Sequence, residues 1–158
     1  MYKKILSLIL IFLTTSSLLN AQTSISLEKD GGVYKIPCIV NGLKLKLIFD
    51  TWASNVCISE AVALMMLEND YLSMDDIKGT SKTKVADGRI VNNTRIILKK
   101  IQIGDKVLNN IDAVVVHGQS APLLLGQSAI KKLGKYSISG DKLIIGISNL
   151  DTNTNIEP

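Results

Sequence analysis

The feature that most constrains the fold is a series of short segments in which apolar and polar residues alternate, with tight-turn signals between them. The clearest is residues 43–47, Leu-Lys-Leu-Lys-Leu, directly after Asn41-Gly42. Alternation with a period of two is typical of a strand with one buried face, and Asn-Gly is a strong hairpin signal. Further turn signals lie at Asp87-Gly88, Gly104-Asp105 and Gly140-Asp141. The pattern therefore predicts a domain built from antiparallel hairpins.

The other strands and the helices are predicted from the same kind of pattern. A short helix capped by Ser59 is predicted over residues 59–67, and a second over residues 127–133, ending near Gly134. Separate strands are predicted at residues 24–27, 34–40, 81–85, 89–97, 100–103, 106–108, 111–116, 136–139 and 142–147. We therefore expect an all-β fold, mainly antiparallel, with one or two short helices.

The first 21 residues differ from the rest of the chain. A basic start containing Lys3 and Lys4 precedes an apolar run at residues 5–13 and a small, polar stretch that ends at Ala21. This is the layout of a secretory signal peptide, with cleavage predicted after Ala21. The apolar run is short for a membrane span, so an uncleaved anchor is only the alternative. We expect an exported protein, periplasmic or secreted, without stable membrane insertion after cleavage.

The remainder is predicted to form one domain, residues 22–147, followed by a flexible polar tail, residues 148–158. The whole chain has a formal net charge of +4. Cleavage after Ala21 would remove two lysines and leave 16 basic against 14 acidic residues. A balance this close to neutral does not favour nucleic acid or an anionic membrane as a partner.

The cysteines and the histidine suggest no reactive centre of their own. Cys38 and Cys57 could pair in an oxidising compartment, but each occupies a position where a small buried residue fits, which favours two buried thiols over a disulfide. Neither has metal-ligand spacing to a His or a second Cys. His117, the only histidine, is predicted to be a loop residue after a strand. We therefore expect no metal and no cofactor, and no Ser-His-Asp or Cys-His enzyme.

One apolar strand ends in an acidic turn. Residues 47–54 read Leu-Ile-Phe-Asp-Thr-Trp-Ala-Ser, so the strand delivers Asp50 into a turn that contains Trp52, the only tryptophan. Ala86-Asp87-Gly88 follows at a predicted hairpin tip, and residues 124–138 read Leu-Leu-Gly-Gln-Ser-Ala-Ile-Lys-Lys-Leu-Gly-Lys-Tyr-Ser-Ile. In this order the three motifs resemble the retropepsin-like aspartic proteases, and the bacterial single-domain members in particular.

This resemblance implies a retropepsin-like acid protease half-barrel, a closed β-domain with one copy of the catalytic motif. A working site would then need a homodimer in which each subunit contributes Asp50. Two adjacent carboxylates share a proton, so one activates a water while the other polarises the scissile carbonyl of an extended peptide or protein substrate. By the same resemblance Thr51 would stiffen the two loops across the dyad, while Ala53 and Ser54 would line the cleft floor.

The resemblance also implies a flap over the catalytic loop and a group of residues that supports the loop from below. The flap, which would close over the substrate and exclude water, would consist of Val85, Ala86, Asp87, Gly88 and Arg89. The residues that would pack under the catalytic loop are Leu124, Leu125 and Gly126, where the glycine lets the backbone pass closely.

Trp52 is where the sequence departs from the family, which has Gly at this position. Glycine permits unusual dihedral angles and close approach, and tryptophan permits neither. Misplacing a catalytic group by about 1 Å can cost on the order of a hundredfold in rate. Three hypotheses follow. The chain is an active aspartic endopeptidase, a catalytically impaired relative that binds a peptide or a protein in the same groove, or a monomeric structural β-domain.

Overall fold

The computed structural model describes residues 22–84, 87–117 and 121–146. The predicted signal peptide and C-terminal tail lie outside these residues, as do Val85 and Ala86. The described strands are β1 Thr23–Ser26, β2 Glu28–Asp30, β3 Val33–Val40, β4 Leu43–Phe49, β5 Val56–Ser59, β6 Ile77–Lys84, β7 Ile90–Ile103, β8 Lys106–Val116, β9 Leu124–Leu125, β10 Tyr136–Ser139 and β11 Lys142–Ile145. The described helices are α1 Glu60–Glu68, α2 Gln127–Ile130 and two 3-10 helices, Met74–Asp76 and Lys131–Leu133.

Most strands belong to one sheet that closes on itself. Its order is β2-β3-β4-β9-β5-β8-β7-β6, and β3 also pairs with β7, Ile39 with Gln102 and Val40 with Ile101. A second sheet has the order β1-β11-β10. Neighbouring strands are antiparallel except β4 with β9 and β5 with β8. The prediction of a closed, mainly antiparallel β-domain with short helices is confirmed.

The alternating pattern decides which face of each strand enters the core. In β3 the side chains of Ile36, Cys38 and Val40 are buried, and the residues between them are more exposed. Burial of one aliphatic side chain contributes about 1.5–3 kcal/mol, so a register slip by one residue would lose several such contributions. The turn after β3 holds the register, because Asn41 and Gly42 have φ angles of 49° and 101°, as a two-residue type I′ turn requires.

Strands β7 and β8 are each predicted as two shorter strands, but both run unbroken. The register is constant across the expected break, where Leu98 pairs with Ile111. Asn110 has a left-handed φ of 52°. Lys132 Nζ donates to the carbonyl oxygens of Asn109 and Asn110 at 2.8 and 3.0 Å. Two hydrogen bonds from Lys132, in the 3-10 helix, therefore stabilise the irregular backbone at Asn110. The residues next to Asn110 in the sequence do not predict these bonds.

Helix α1 begins at the predicted cap. Ser59 Oγ accepts a hydrogen bond from the Val62 backbone N–H at 3.3 Å, and Ala63 and Met66 of the helix are buried. The cap satisfies one of the backbone donors that a helix start leaves without an intrahelical partner. Across the described ranges, no helix has both the length and the apolar character needed to cross a membrane.

Candidate active site

The acidic turn begins where β4 ends, and a second strand holds it there. β4 pairs in parallel with β9, Ile48 with Leu124 and Phe49 with Leu125. The Asp50 backbone N–H donates to the Leu125 carbonyl oxygen at 3.1 Å. Leu125 is fully buried, whereas Leu124 and Asp50 are half-buried. The core therefore fixes the point at which the chain leaves the sheet, and the carboxyl group of Asp50 lies at the edge of that core.

The Asp50 side chain organises the turn that follows it. Its Oδ1 accepts hydrogen bonds from the backbone N–H groups of Trp52 at 2.9 Å and Ala53 at 3.3 Å. This is the local side-chain to backbone bonding by which aspartate stabilises turns. Within the described residues no hydrogen bond engages Asp50 Oδ2. One carboxylate oxygen is thus used to shape the loop, and the other is left for a water or a partner group.

Gly126 lies where the chain after β9 passes directly beneath the catalytic loop. A Cβ at this position would be 2.2 Å from the Asn55 carbonyl oxygen and 2.8 Å from the Ala53 carbonyl oxygen. The φ of Gly126 is −96°, which any residue can adopt. Space rather than backbone conformation therefore requires a glycine here. This contact is the close passage that the resemblance implies for Gly126.

Helix α2 supplies two further supports that the sequence did not single out. Gln127 donates from its backbone N–H to the Ala53 carbonyl oxygen and from Nε2 to the Thr51 carbonyl oxygen, both at 2.8 Å. Ser128 donates from its backbone N–H to the Ser54 carbonyl oxygen at 3.0 Å. Bonds from consecutive residues thus hold three carbonyls of the loop. The only sequence signal for these two residues is their place immediately after Gly126.

The hydroxyl of Ser128 links the loop to the large sheet. It accepts a hydrogen bond from the Val56 N–H at 3.0 Å and donates one to the Asp112 carbonyl oxygen at 2.7 Å. Val56 is fully buried and begins β5, so its N–H has no access to water. An unsatisfied buried donor costs about 1–3 kcal/mol, and Ser128 removes that cost.

The side chains of the turn itself face outward. Thr51 and Ser54 are exposed and Ala53 is half-buried. The Trp52 side chain is 95% exposed, and its φ is not among the positive values found at Asn41, Asp70 and Asn110. At Trp52 the turn therefore does not use the left-handed φ that favours glycine. The backbone accommodates Trp52 within the subunit, and the indole is exposed to solvent.

The flap prediction concerns the hairpin of β6 and β7. Of its five predicted residues, Asp87, Gly88 and Arg89 are described, and all three are exposed. The Arg89 backbone N–H donates to Asp87 Oδ1 at 3.0 Å, and Arg89 Nε donates to Asp87 Oδ2 at 2.7 Å. These bonds to Arg89 hold the pKa of Asp87 below its usual value. Gly88 has a φ of 87°, which suits glycine at the tip.

Within the described residues, neither thiol and neither ring nitrogen of His117 forms a hydrogen bond with the Asp50 carboxylate. Cys38 and Cys57 are free thiols, and Cys38 is buried as predicted, whereas Cys57 is half-buried. Burial raises the pKa of Cys38 to about 12 and that of Cys57 to about 11, and the negative charge of Asp50 adds to the shift of Cys57. Both thiols are therefore protonated at neutral pH and are poor nucleophiles. His117 lies after β8, with Nδ1 3.2 Å from Glu60 Oε1 and Nε2 3.2 Å from Thr94 Oγ1.

The closed β-domain and its aspartate turn, supported from below by a glycine, define the class of the protein as a retropepsin-like aspartic protease fold. The family model described as "gag-polyprotein putative aspartyl protease" matches residues 36–132, and the chain belongs to this family. A solved structure titled as a retropepsin-like aspartic protease from Rickettsia conorii matches at a TM-score of 0.58 and 26% identity, covering 79% of this chain and 88% of that chain. No curated protein matches. The resemblance drawn from the three motifs is confirmed.

Proposed function

We propose that the protein is an extracytoplasmic aspartic endopeptidase that works as a homodimer, with one Asp50 from each subunit. The observation that carries this proposal is the hydrogen bonding of the Asp50 carboxylate. Its Oδ1 bonds the turn, no bond within the described residues engages Oδ2, and the loop is held from below by Leu125 and Gln127. A rigid loop with one open carboxylate oxygen suits positioned acid-base chemistry. The export signal predicted over residues 1–21 supports a site of action outside the cytoplasm.

The chemistry proposed for the dimer needs both carboxylates. Two carboxyl groups close together do not both ionise, so the pair holds one proton between them. The ionised carboxylate takes a proton from a water, and that water attacks the scissile carbonyl of an extended peptide. The protonated partner donates a hydrogen bond to the same carbonyl oxygen, where negative charge develops. One subunit alone supplies half of this arrangement, because the chain contains a single Asp-Thr-x-Ala-Ser motif.

Trp52 favours a second candidate function, a groove that binds a peptide or a protein without cutting it. A 95% exposed indole beside Asp50 offers a large apolar contact surface to an extended chain. In a homodimer two such indoles would lie near the two-fold axis. They would occupy space that a substrate or the opposite loop also needs.

The test is cleavage of a peptide library by the mature protein and by two variants, Asp50→Asn and Trp52→Gly, from about pH 3 to about pH 7. All three are assayed at high protein concentration to favour the dimer. Cleavage by the wild type that Asp50→Asn abolishes is the expected result. Cleavage by Trp52→Gly alone would instead support the binding groove. If the protein stays monomeric at every concentration and binds no peptide, both proposals fail, which leaves the structural β-domain.

A further inference from the structure

The charge of the chain is concentrated in one hairpin. Residues 77–96, from the start of β6 into β7, contain five basic residues, and Asp87 is their only acidic residue. Their formal net charge of +4 equals that of the whole chain, so all the other residues together are neutral. A local excess of this kind attracts ligands of the opposite sign even where the overall charge is small.

Three of the five cations already have partners. Arg89 pairs with Asp87 at 2.7 Å, Arg95 with Asp112 at 3.9 Å, and Lys78 Nζ donates to the Asp75 carbonyl oxygen at 2.7 Å. Lys82 and Lys84 are exposed, and neither forms an ion pair with any residue of the described ranges. Two ammonium groups on one strand are therefore available to a ligand.

The two lysines share one face of the hairpin. In the pairing of β6 with β7, Lys82 lies opposite Asn92 and Lys84 opposite Ile90. Along β7 the alternation that includes Ile90 and Asn92 continues to Ile96, which is 1% exposed in the core. Lys82 and Lys84 therefore lie on the face of the hairpin that, further along β7, packs against the core through Ile96. Beyond the edge of the core this side is open, and Ile90 is 69% exposed there.

We propose that Lys82 and Lys84 make this hairpin selective for acidic peptides, and in particular for extended chains with carboxylates two residues apart. Residues i and i+2 of a strand lie on one face about 6.6–6.8 Å apart. An extended peptide beside β6 has the same repeat, so two glutamates at that spacing match Lys82 and Lys84. The exposed Ile90, directly opposite Lys84, adds an apolar contact beside the two charges. The inference rests on the proposed function, in which this hairpin is the flap over the substrate.

A binding experiment tests the inference separately from catalysis. The mature protein with Asp50→Asn, which does not cut its ligand, is titrated with ten-residue peptides. In one set a Glu-x-Glu pair moves along an otherwise neutral sequence, and in the matched set the pair is Gln-x-Gln. We expect the best Glu peptide to bind about fivefold more tightly than its Gln partner, since exposed ion pairs are individually weak. The preference should shrink in about 1 M salt, where the Debye length falls to about 3 Å.

Matched variants identify the residues responsible. In the Asp50→Asn background, Lys82→Gln with Lys84→Gln should abolish the preference. The control, Lys29→Gln with Lys142→Gln, removes the same charge from exposed positions on β2 and β11 and should keep it. Thermal unfolding verifies that each variant folds.

Four results of the binding experiments would overturn the inference: equal affinity for the two peptide sets, no binding of either set, equal loss in the control, or a preference of the hairpin for anionic lipid vesicles over every peptide. If the wild type cuts peptides without any charge preference, the proposed protease stands and only the acidic selectivity fails. Absence of cleavage together with lysine-dependent binding of the Glu peptides would leave the selectivity intact and remove the catalytic proposal.

Discussion

The catalytic loop and the tip of the β6–β7 hairpin are both short turns at the end of strands, but they are held in different ways. Distant parts of the chain secure the loop, since Leu125, Gln127 and Ser128 all bond its backbone or its continuation. Among the described residues of the tip, the bonds run between Asp87 and Arg89, two residues apart. The loop therefore depends on the whole fold, and the tip depends mainly on itself.

This difference suits the tasks proposed for the two turns. A catalytic carboxylate needs a fixed position, which packing against a closed barrel supplies. A flap must open and close, so its bonds should break without unfolding the domain. Changes at the loop should accordingly affect global stability, and changes at the tip should have local effects.

The largest effect is expected for Gly126→Ala. The added Cβ would lie 2.2 Å from the Asn55 carbonyl oxygen, and neither backbone segment can move without disturbing the sheet. We expect a loss of about 3 kcal/mol or more in the free energy of unfolding, measured by urea denaturation. Gly140→Ala is the control, because a Cβ there meets open space, and its left-handed φ of 60° costs only about 1–2 kcal/mol. Equal losses in the two variants would contradict the close contact at Gly126.

Ser128→Ala should be the next most damaging change. It leaves the fully buried N–H of Val56 without its acceptor and the Asp112 carbonyl without its donor. We expect a loss of about 2 kcal/mol by the same measurement. Ser139→Ala, at an exposed position of β10, should change stability by less than about 0.5 kcal/mol. A similarly small change for Ser128→Ala would mean that the hydroxyl is not needed to hold β5 under the loop.

Asp76 lies immediately before β6, at the base of the β6–β7 hairpin. A change there should have an effect between those at the catalytic loop and at the hairpin tip. Burial raises the pKa of Asp76, which is 6% exposed, but hydrogen bonds from the Ser73 backbone and hydroxyl and from Lys99 outweigh that effect, so the pKa is lowered. Because the folded-state pKa is below the unfolded value, its stabilisation is present above about pH 4 and is lost as the pH falls through the folded pKa. Asp76→Asn should cost about 1 kcal/mol at pH 7, and this cost should decline as the pH falls through the folded pKa.

The measurement for Asp76 is thermal unfolding of the wild type and the variant across this pH range. Asp75→Asn is the matched control, since Asp75 is an exposed neighbouring carboxylate. The control should show no such dependence on pH. A difference between wild type and Asp76→Asn that did not decline as the pH fell below about 4 would assign the effect to packing rather than to charge.

The fold was predictable where alternation and turn chemistry agree. Residues 43–47 after Asn41-Gly42 are an example, because the register and the buried face follow from neighbours in the sequence. The continuous course of β8 was not predictable, since Lys132 secures Asn110 from more than twenty residues away. Short-range patterns predict strands well. They do not predict the long-range hydrogen bonds that stabilise an irregular residue inside a strand.

The candidate site shows the same limit. Asp50 and Gly126 belong to motifs that resemble a family, so both could be named from the sequence. The roles of Gln127 and Ser128 depend on partners such as Thr51 and Val56, which are more than seventy residues away. Trp52 was judged by the conformational needs of glycine, yet the turn keeps a φ open to other residues. Whether Trp52 impairs activity depends on the groups that meet the indole in a dimer or a complex, and a single sequence does not specify them.

The smallest global effect is expected for Gly88→Ala at the hairpin tip. Alanine must adopt the left-handed φ of 87° there, although its Cβ meets nothing within 4 Å. Because the tip is bonded locally, we expect the strain to favour local opening and to leave the unfolding temperature nearly unchanged. Hydrogen exchange of the Arg89 amide, which donates to Asp87, should quicken about fivefold, while that of the Asp50 amide should not change. A parallel rise at Asp50 would show that tip and loop form one cooperative unit, and the distinction between the two turns would fail.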